Sequence, residues 1–372
     1  MSSSMYSSMS SPRIRLHFDL NKTIILSDIA SNKSVGDVVN HLIAESAYGL
    51  VSPCGKYWNC TYNDLSLSNP CKENPAVCSY TYFIANFLLP FPSATSDLEV
   101  NRKMFQDIRD IRNQHFCSFT DDGNPGTQFR EIYESVMGKI LENNTTFELS
   151  ETVPSFWNFI KKLKYSKSNI LLTFRTFGKD LEKFLPMFNS YCDSIGAENL
   201  KISKTAVFFR CNTNVLLAVG SMEALPLTFS FEDAVKYYEN QNCRILIGFQ
   251  NIHNFLNSES HLAIRDHYYY WAAHGESNNS GKILFLPNIS KNDDLEIFLD
   301  DHIRVRVLDK SIVDVRHSDG SEGCKFKAFE YGHLLRVNAL FGFLNNEYFE
   351  EILVNALDQL RKRYDLSVDL KF

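Results

Sequence analysis

A chain of 372 residues with 44% hydrophobic and 22% charged residues is too apolar to remain unfolded, and its length accommodates roughly two to three domains of about 150 residues each. A formal net charge of -6 and a pI near 6.0 exclude the basic surplus that marks broad nucleic-acid binding. No apolar run reaches the length of about 18 residues that a membrane helix needs, and the serine-rich start lacks an apolar signal core; the expectation is a cytoplasmic protein with its nine cysteines reduced.

Residues 1–12 offer little to bury and read as a disordered tail. Ile14, Leu16 and Phe18 then alternate as on a buried strand, which ends at Asp19 and is followed by Asn21, Lys22 and Thr23. In an open α/β sheet ligands bind at the C-terminal ends of the strands, so this strand carries a carboxylate to such an edge. Ser34 caps a helix over 35–48, where Val35, Val38, Val39, Leu42, Ile43 and Ala47 recur at helical spacing. Residues 53–78, rich in Asn, Ser, Pro and Cys, read as loop. Cys54, Cys60, Cys71 and Cys78 lack the Cys-x-x-Cys pairing of structural zinc sites and read as unpaired thiols. An apolar stretch at 79–89 reads as buried helix or strand. Helices follow over 99–115, 127–142 and 154–165, with a turn at 120–126.

The next strand, 169–173, ends in the hydroxyl of Thr173 and leads through Phe174 and Arg175 to a helix over 180–191. A hairpin joins 206–209 to 215–219 through Asn212-Thr213-Asn214; a helix at 231–238 and a strand at 244–249 come next. Residues 261–275, with His267, His274 and a run of aromatics, read as a helix. Lys282 introduces an apolar strand over 281–286, and within 296–303 a strand ends in the pair Asp300 and Asp301. Short strands at 304–308 and 312–315 precede a C-terminal amphipathic helix whose stripe includes Ile352, Leu353, Leu357 and Leu360. The Gly-x-x-x-x-Gly-Lys-Ser/Thr loop is absent, which removes a P-loop reading.

Acid, hydroxyl, lysine and acid pair, in that order and mostly at strand ends, resemble the four motifs of the haloacid dehalogenase-like superfamily. The opening Ile14-Arg15-Leu16-His17-Phe18-Asp19-Leu20-Asn21-Lys22-Thr23 resembles, more specifically, eukaryotic members with an HFDxNKT first motif. The resemblance implies a doubly wound, mainly parallel Rossmann-like α/β core formed by 13–29 and 151–372, with a large cap insertion at 30–150. Residues from about 196 to 258 are either a second small insertion or an elaboration of the core.

The same resemblance implies a magnesium-dependent phosphohydrolase or phosphotransferase acting on a phosphorylated small molecule, with no nucleic acid and no membrane as partner. Asp19 would be nucleophile and Mg2+ ligand, and the Asn21 carbonyl, Asp300 and Asp301 would complete the metal site. Thr173, Phe174 and Arg175 would bind phosphate, and Lys282, with Lys179 as competitor, would pair with nucleophile and phosphate. Hydrolases of this superfamily commonly carry a second Asp where this chain has Asn21, an amide that cannot exchange a proton at useful pH. The alternative is therefore a catalytically weak or inactive protein that binds a phosphorylated ligand.

Overall fold

The computed structural model describes residues 13–26, 33–93, 98–143, 151–166, 169–274, 277–288, 293–303 and 312–365. The expected tail at 1–12 and strand at 304–308 lie outside the described residues. In chain order the strands are β1 (Ile14–Asp19), β2 (Tyr48–Val51), β3 (Trp58–Cys60), β4 (Val77–Ser79), β5 (Ile170–Thr176), β6 (Thr205–Cys211), β7 (Asn214–Val219), β8 (Arg244–Ile247), β9 (Leu262–Arg265), β10 (Lys282–Phe285), β11 (Leu295–Asp300), β12 (Val313–Arg316) and β13 (Leu334–Arg336). The chain forms two compact units, one from 1–20, 156–336 and 347–372 and the other from 21–155 and 337–346. Among the described residues no helix is long and apolar enough to cross a membrane.

The first unit is α/β, with a sheet ordered β13-β11-β1-β5-β9-β6-β7-β8. It is parallel from β13 to β6, and β7 and β8 extend it antiparallel, compatible with a Rossmann-like fold. Every residue of β1, β5 and β11 is buried, as expected where a parallel sheet is covered on both faces. Phe18 points into one cover and meets the rings of Phe156, Phe159, Phe174 and Phe349 at 5.6–6.2 Å. Arg15, His17 and Asp19 alternate with these apolar positions and face the other way.

From β1 the sheet grows through β5 and β9 on one side and through β11 and β13 on the other. The strand order therefore reverses between β1 and β11, where open α/β sheets bind ligands. Phe18 is in register with Leu299, which brings Asp19 level with Asp300 across this switch point. A further parallel pair, β10 with β12, lies outside the main sheet. Its Leu284 shares a core with Phe298 of β11, and its Ile283 packs with Leu262 and Ile264 of β9.

The structure refines the sequence expectations at several places. Within 196–258, where the sequence leaves a second insertion and an elaboration of the core both open, β6, β7 and β8 continue the main sheet. The hairpin between β6 and β7 turns at Asn212, whose φ of 53° is a left-handed value that Asn tolerates. The helix expected over 261–275 is instead β9, inside the main sheet, followed by a helix of only six residues, Tyr268–Ala273. Strand β5 runs on to Thr176, past the expected end at Thr173, and β11 ends at Asp300, the first of the acid pair.

In the second unit, Ser34 caps the helix Val35–Ser46 in a reciprocal capping box with Asp37. Residues 53–78 are not loop throughout: β3 and β4 flank β2 in an antiparallel sheet. Trp58, Tyr80, Phe119 and Phe129 form the aromatic core around it. The 337–346 segment joins this unit through Ala339 N–H to the Lys22 carbonyl at 3.1 Å and Asn338 Nδ2 to Ser46 Oγ at 2.9 Å. Cys54, Cys60, Cys71 and Cys78 are free thiols, and they form no metal-ligating group among the described residues.

Candidate active site

Asp19 ends β1 and Asp300 ends β11, and one ammonium joins them. Lys282 Nζ donates to Asp19 Oδ1 and, at 2.8 Å, to Asp300 Oδ2. Lys282 starts β10, where its N–H bonds to the Ile312 carbonyl at 2.8 Å. The preceding Gly281 permits that pairing, since a Cβ there would collide with the Ile312 carbonyl. Asp300 Oδ1 accepts the His302 backbone N–H at 2.8 Å, while Asp301 Oδ1 meets His302 Nδ1 at 2.8 Å. Ligand atoms of Asp300, Asp301 and His302 all lie within 4.8 Å of one another. Asp19, Lys282, Asp300 and Asp301 are each at most 6% exposed.

The structure thus brings together Asp19, Lys282 and Asp300, with Asp301 adjacent, and the lysine that reaches Asp19 is Lys282, not Lys179. Thr173 lies lower in the sheet. It is in register with His17, and its hydroxyl accepts from Arg15 Nη1 at 3.2 Å, so it is not at the strand end where a phosphate would sit. The Phe174 side chain is core, 4.8 Å from the rings of Phe184 and Phe188. Arg175 is opposite Asp19, but its guanidinium is committed. Nε and Nη2 go to Asp266, and Nη1 goes to the Ile283 carbonyl at 3.1 Å. That clamp holds β10 beside β5 and leaves Arg175 little to offer a ligand. Asn21 forms a bridge with Ile25 in the second unit.

Two polar residues at strand ends were missed. Thr176, one residue past the position opposite Asp19, ends β5; its hydroxyl accepts the Gly178 N–H at 2.9 Å and donates to Asp180 Oδ2 at 3.1 Å. Neighbouring strands are about 4.8 Å apart, which places this hydroxyl at the same sheet edge as Asp19. A hydroxyl followed by a glycine turn and a helix was the available signal. His302 is the other, and its direct succession to the acid pair was the signal for it.

Asp19 and Asp300 share the Lys282 ammonium, and Asp301, which meets His302, adds a third carboxylate near Asp19, so the acids outnumber the ammonium. Burial first, then Asp300 and Asp301, push the Asp19 carboxyl well above its usual range against the opposing pull of Lys282. Burial pulls the Lys282 ammonium down, but Asp19 and Asp300 outweigh it and hold the proton on the lysine. The carboxylates of Asp300 and Asp301, with Asp19 nearby, are hard anionic oxygen donors that suit a divalent cation such as Mg2+, and His302 adds an imidazole nitrogen to the group. Millimolar Mg2+ is therefore expected to raise the melting temperature. At a hundredfold excess over Kd the stabilisation is about 2.7 kcal/mol. Scanning calorimetry of wild type and Asp301→Asn checks this: the shift should shrink in the variant, and its absence in wild type would count against a cation site.

Comparisons with family models, with curated proteins and with solved structures found no match to this chain.

Proposed function

We propose that the chain is a magnesium-dependent phosphohydrolase or phosphotransferase of haloacid dehalogenase-like type, working through an aspartyl-phosphate at Asp19. The observation that carries this reading is Lys282, buried and bridging Asp19 to Asp300 at the switch point of a parallel sheet. A carboxylate, a fixed ammonium and further acids at one edge are the parts that phosphoryl transfer by a covalent intermediate needs. Bound Mg2+, held by Asp19, Asp300 and Asp301, would supply charge neutralisation for the phosphoryl group.

Asp19 attacks phosphorus, forming the carboxylate O–P bond as the ester P–O bond breaks, and the leaving oxygen takes a proton from solvent. Lys282 has three donors and spends two on Asp19 and Asp300, so the third serves a phosphoryl oxygen. The Thr176 hydroxyl replaces Thr173 as the candidate to bind another, by turning its one proton from Asp180 Oδ2 to the ligand. Water then attacks phosphorus, releases phosphate and restores the carboxylate; an acceptor alcohol in place of water makes the reaction a transfer. Arg175 is assigned no contact with the phosphoryl group; it acts through β10 as a positioning residue for Lys282.

The test is Mg2+-dependent phosphate release from an aryl phosphate by the full chain. A folded, Mg2+-binding protein that releases none favours the second reading, a binding protein for a phosphorylated ligand. Asn21 is the residue that favours it, because an amide provides no proton to the leaving group and no base to water. Asn21→Asp, nearly isosteric, should restore that assistance. The expected gain is about a hundredfold in kcat for alkyl phosphates, at the lower end of what general acid-base catalysis provides, and much less for aryl phosphates, which leave as stable anions. Saturation kinetics on paired esters check it; no gain on any ester would remove Asn21 from the acid position.

A further inference from the structure

Beside the carboxylate and lysine lies a run of aromatic rings that phosphoryl transfer itself does not use. Phe177 follows Thr176 directly, and its ring centre is 5.2 Å from Lys282 Nζ. It stacks on Trp271 at 5.1 Å with planes 21° apart, and meets Tyr268 at 6.0 Å in a T-shaped contact. Tyr268 meets Tyr269 at 6.1 Å. The last two rings are 45% and 44% exposed, whereas Phe298, 5.9 Å from the same ammonium, is fully buried.

The placement follows from the sheet. Helix Tyr268–Ala273 begins two residues after Asp266, the partner of Arg175, at the C-terminal end of β9. Its aromatics therefore belong to the same edge as Asp19 and Lys282. A phosphoryl oxygen on Lys282 would sit about 3 Å from Nζ, which is itself 5.2 Å from the centre of the Phe177 ring, and Tyr268 packs against that ring at 6.0 Å. Aromatic pairs interact at centroid distances of about 4.5–7 Å, so a ring carried directly on the ester oxygen would fall in that range.

We infer that the site takes aryl monophosphates, with the planar leaving group packed against Phe177 and Tyr268. This inference rests on the phosphoryl-transfer reading of Asp19 and Lys282, and it names the substrate class for that site. Tyr268 touches the leaving group alone and is assigned no part in the chemical step.

The experiment measures dissociation constants in Mg2+ by calorimetry for inorganic phosphate, phenylphosphonate and cyclohexylphosphonate; the carbon–phosphorus bond of the last two prevents turnover. Wild type should bind phenylphosphonate about fivefold more tightly than its non-planar counterpart, the usual scale of an aromatic pair. Tyr268→Phe should keep that preference and Tyr268→Ala should lose it; Tyr268→Leu supplies a second non-aromatic variant if alanine fails to fold. Equal affinities in wild type, or a preference that survives in folded Tyr268→Ala or Tyr268→Leu, would overturn the aryl assignment while leaving the phosphoryl site standing. Failure of all three ligands to bind would overturn the phosphoryl site and this inference with it.

Discussion

Asp19→Asn should lower Mg2+-dependent turnover by at least about a thousandfold, because an amide cannot form the acyl-phosphate on which the two-step route depends. The fold should survive. Asparagine has nearly the shape of aspartate, its oxygen can still accept from Lys282, and Asp300 continues to hold the ammonium. Removing one of three crowded carboxylates even relieves repulsion in the absence of a cation. Turnover at saturating aryl phosphate and a melting curve, measured on the same preparation, separate the two effects. Activity within tenfold of wild type would exclude Asp19 as nucleophile.

Lys282→Met should have the largest effect on stability. The substitution keeps an unbranched chain of similar length but strips Asp19 and Asp300 of the buried cation between them. Breaking a buried ion pair from one side typically costs about 3–5 kcal/mol, because the surviving charges keep their desolvation penalty without compensation. The sign can be checked independently. A divalent cation should repair part of the loss, so urea midpoints of wild type and variant should differ most in chelator and converge as Mg2+ rises. A variant as stable as wild type in chelator would mean that Lys282 does not hold these acids together.

The sequence made β1 legible because Ile14, Leu16 and Phe18 alternate without interruption and stop at a carboxylate. Asp300 and Lys282 were legible for the same reason: each bounds an apolar run of buried strand. The end of β5 was not, because Arg175 breaks the apolar run and so hides its last residues. Its charge is neutralised there by Asp266, 91 residues away, a long-range ion pair with no local signature. Hence Thr173 stood in for Thr176. In 261–275 the histidines and aromatics mimic a helical face. Leu262, Ala263 and Ile264 nevertheless enter the main sheet, since pairing with β5 and β6 overrides local preference. The attachment of 337–346 to the second unit depends on contacts with Lys22 and Ser46, far upstream in the chain, and leaves no trace in composition.

The central claim is covalent chemistry at Asp19, and the most direct measurement is to trap it. The full chain, incubated with Mg2+ and a reactive aryl or acyl phosphate and quenched in acid, should gain one phosphoryl group per chain. Hydroxylamine should remove it, as it does an acyl-phosphate, and peptide mass spectrometry should place it on Asp19; Asp19→Asn should carry none. A label on another residue, or no label from a folded protein that binds Mg2+ and phosphate, would contradict the account.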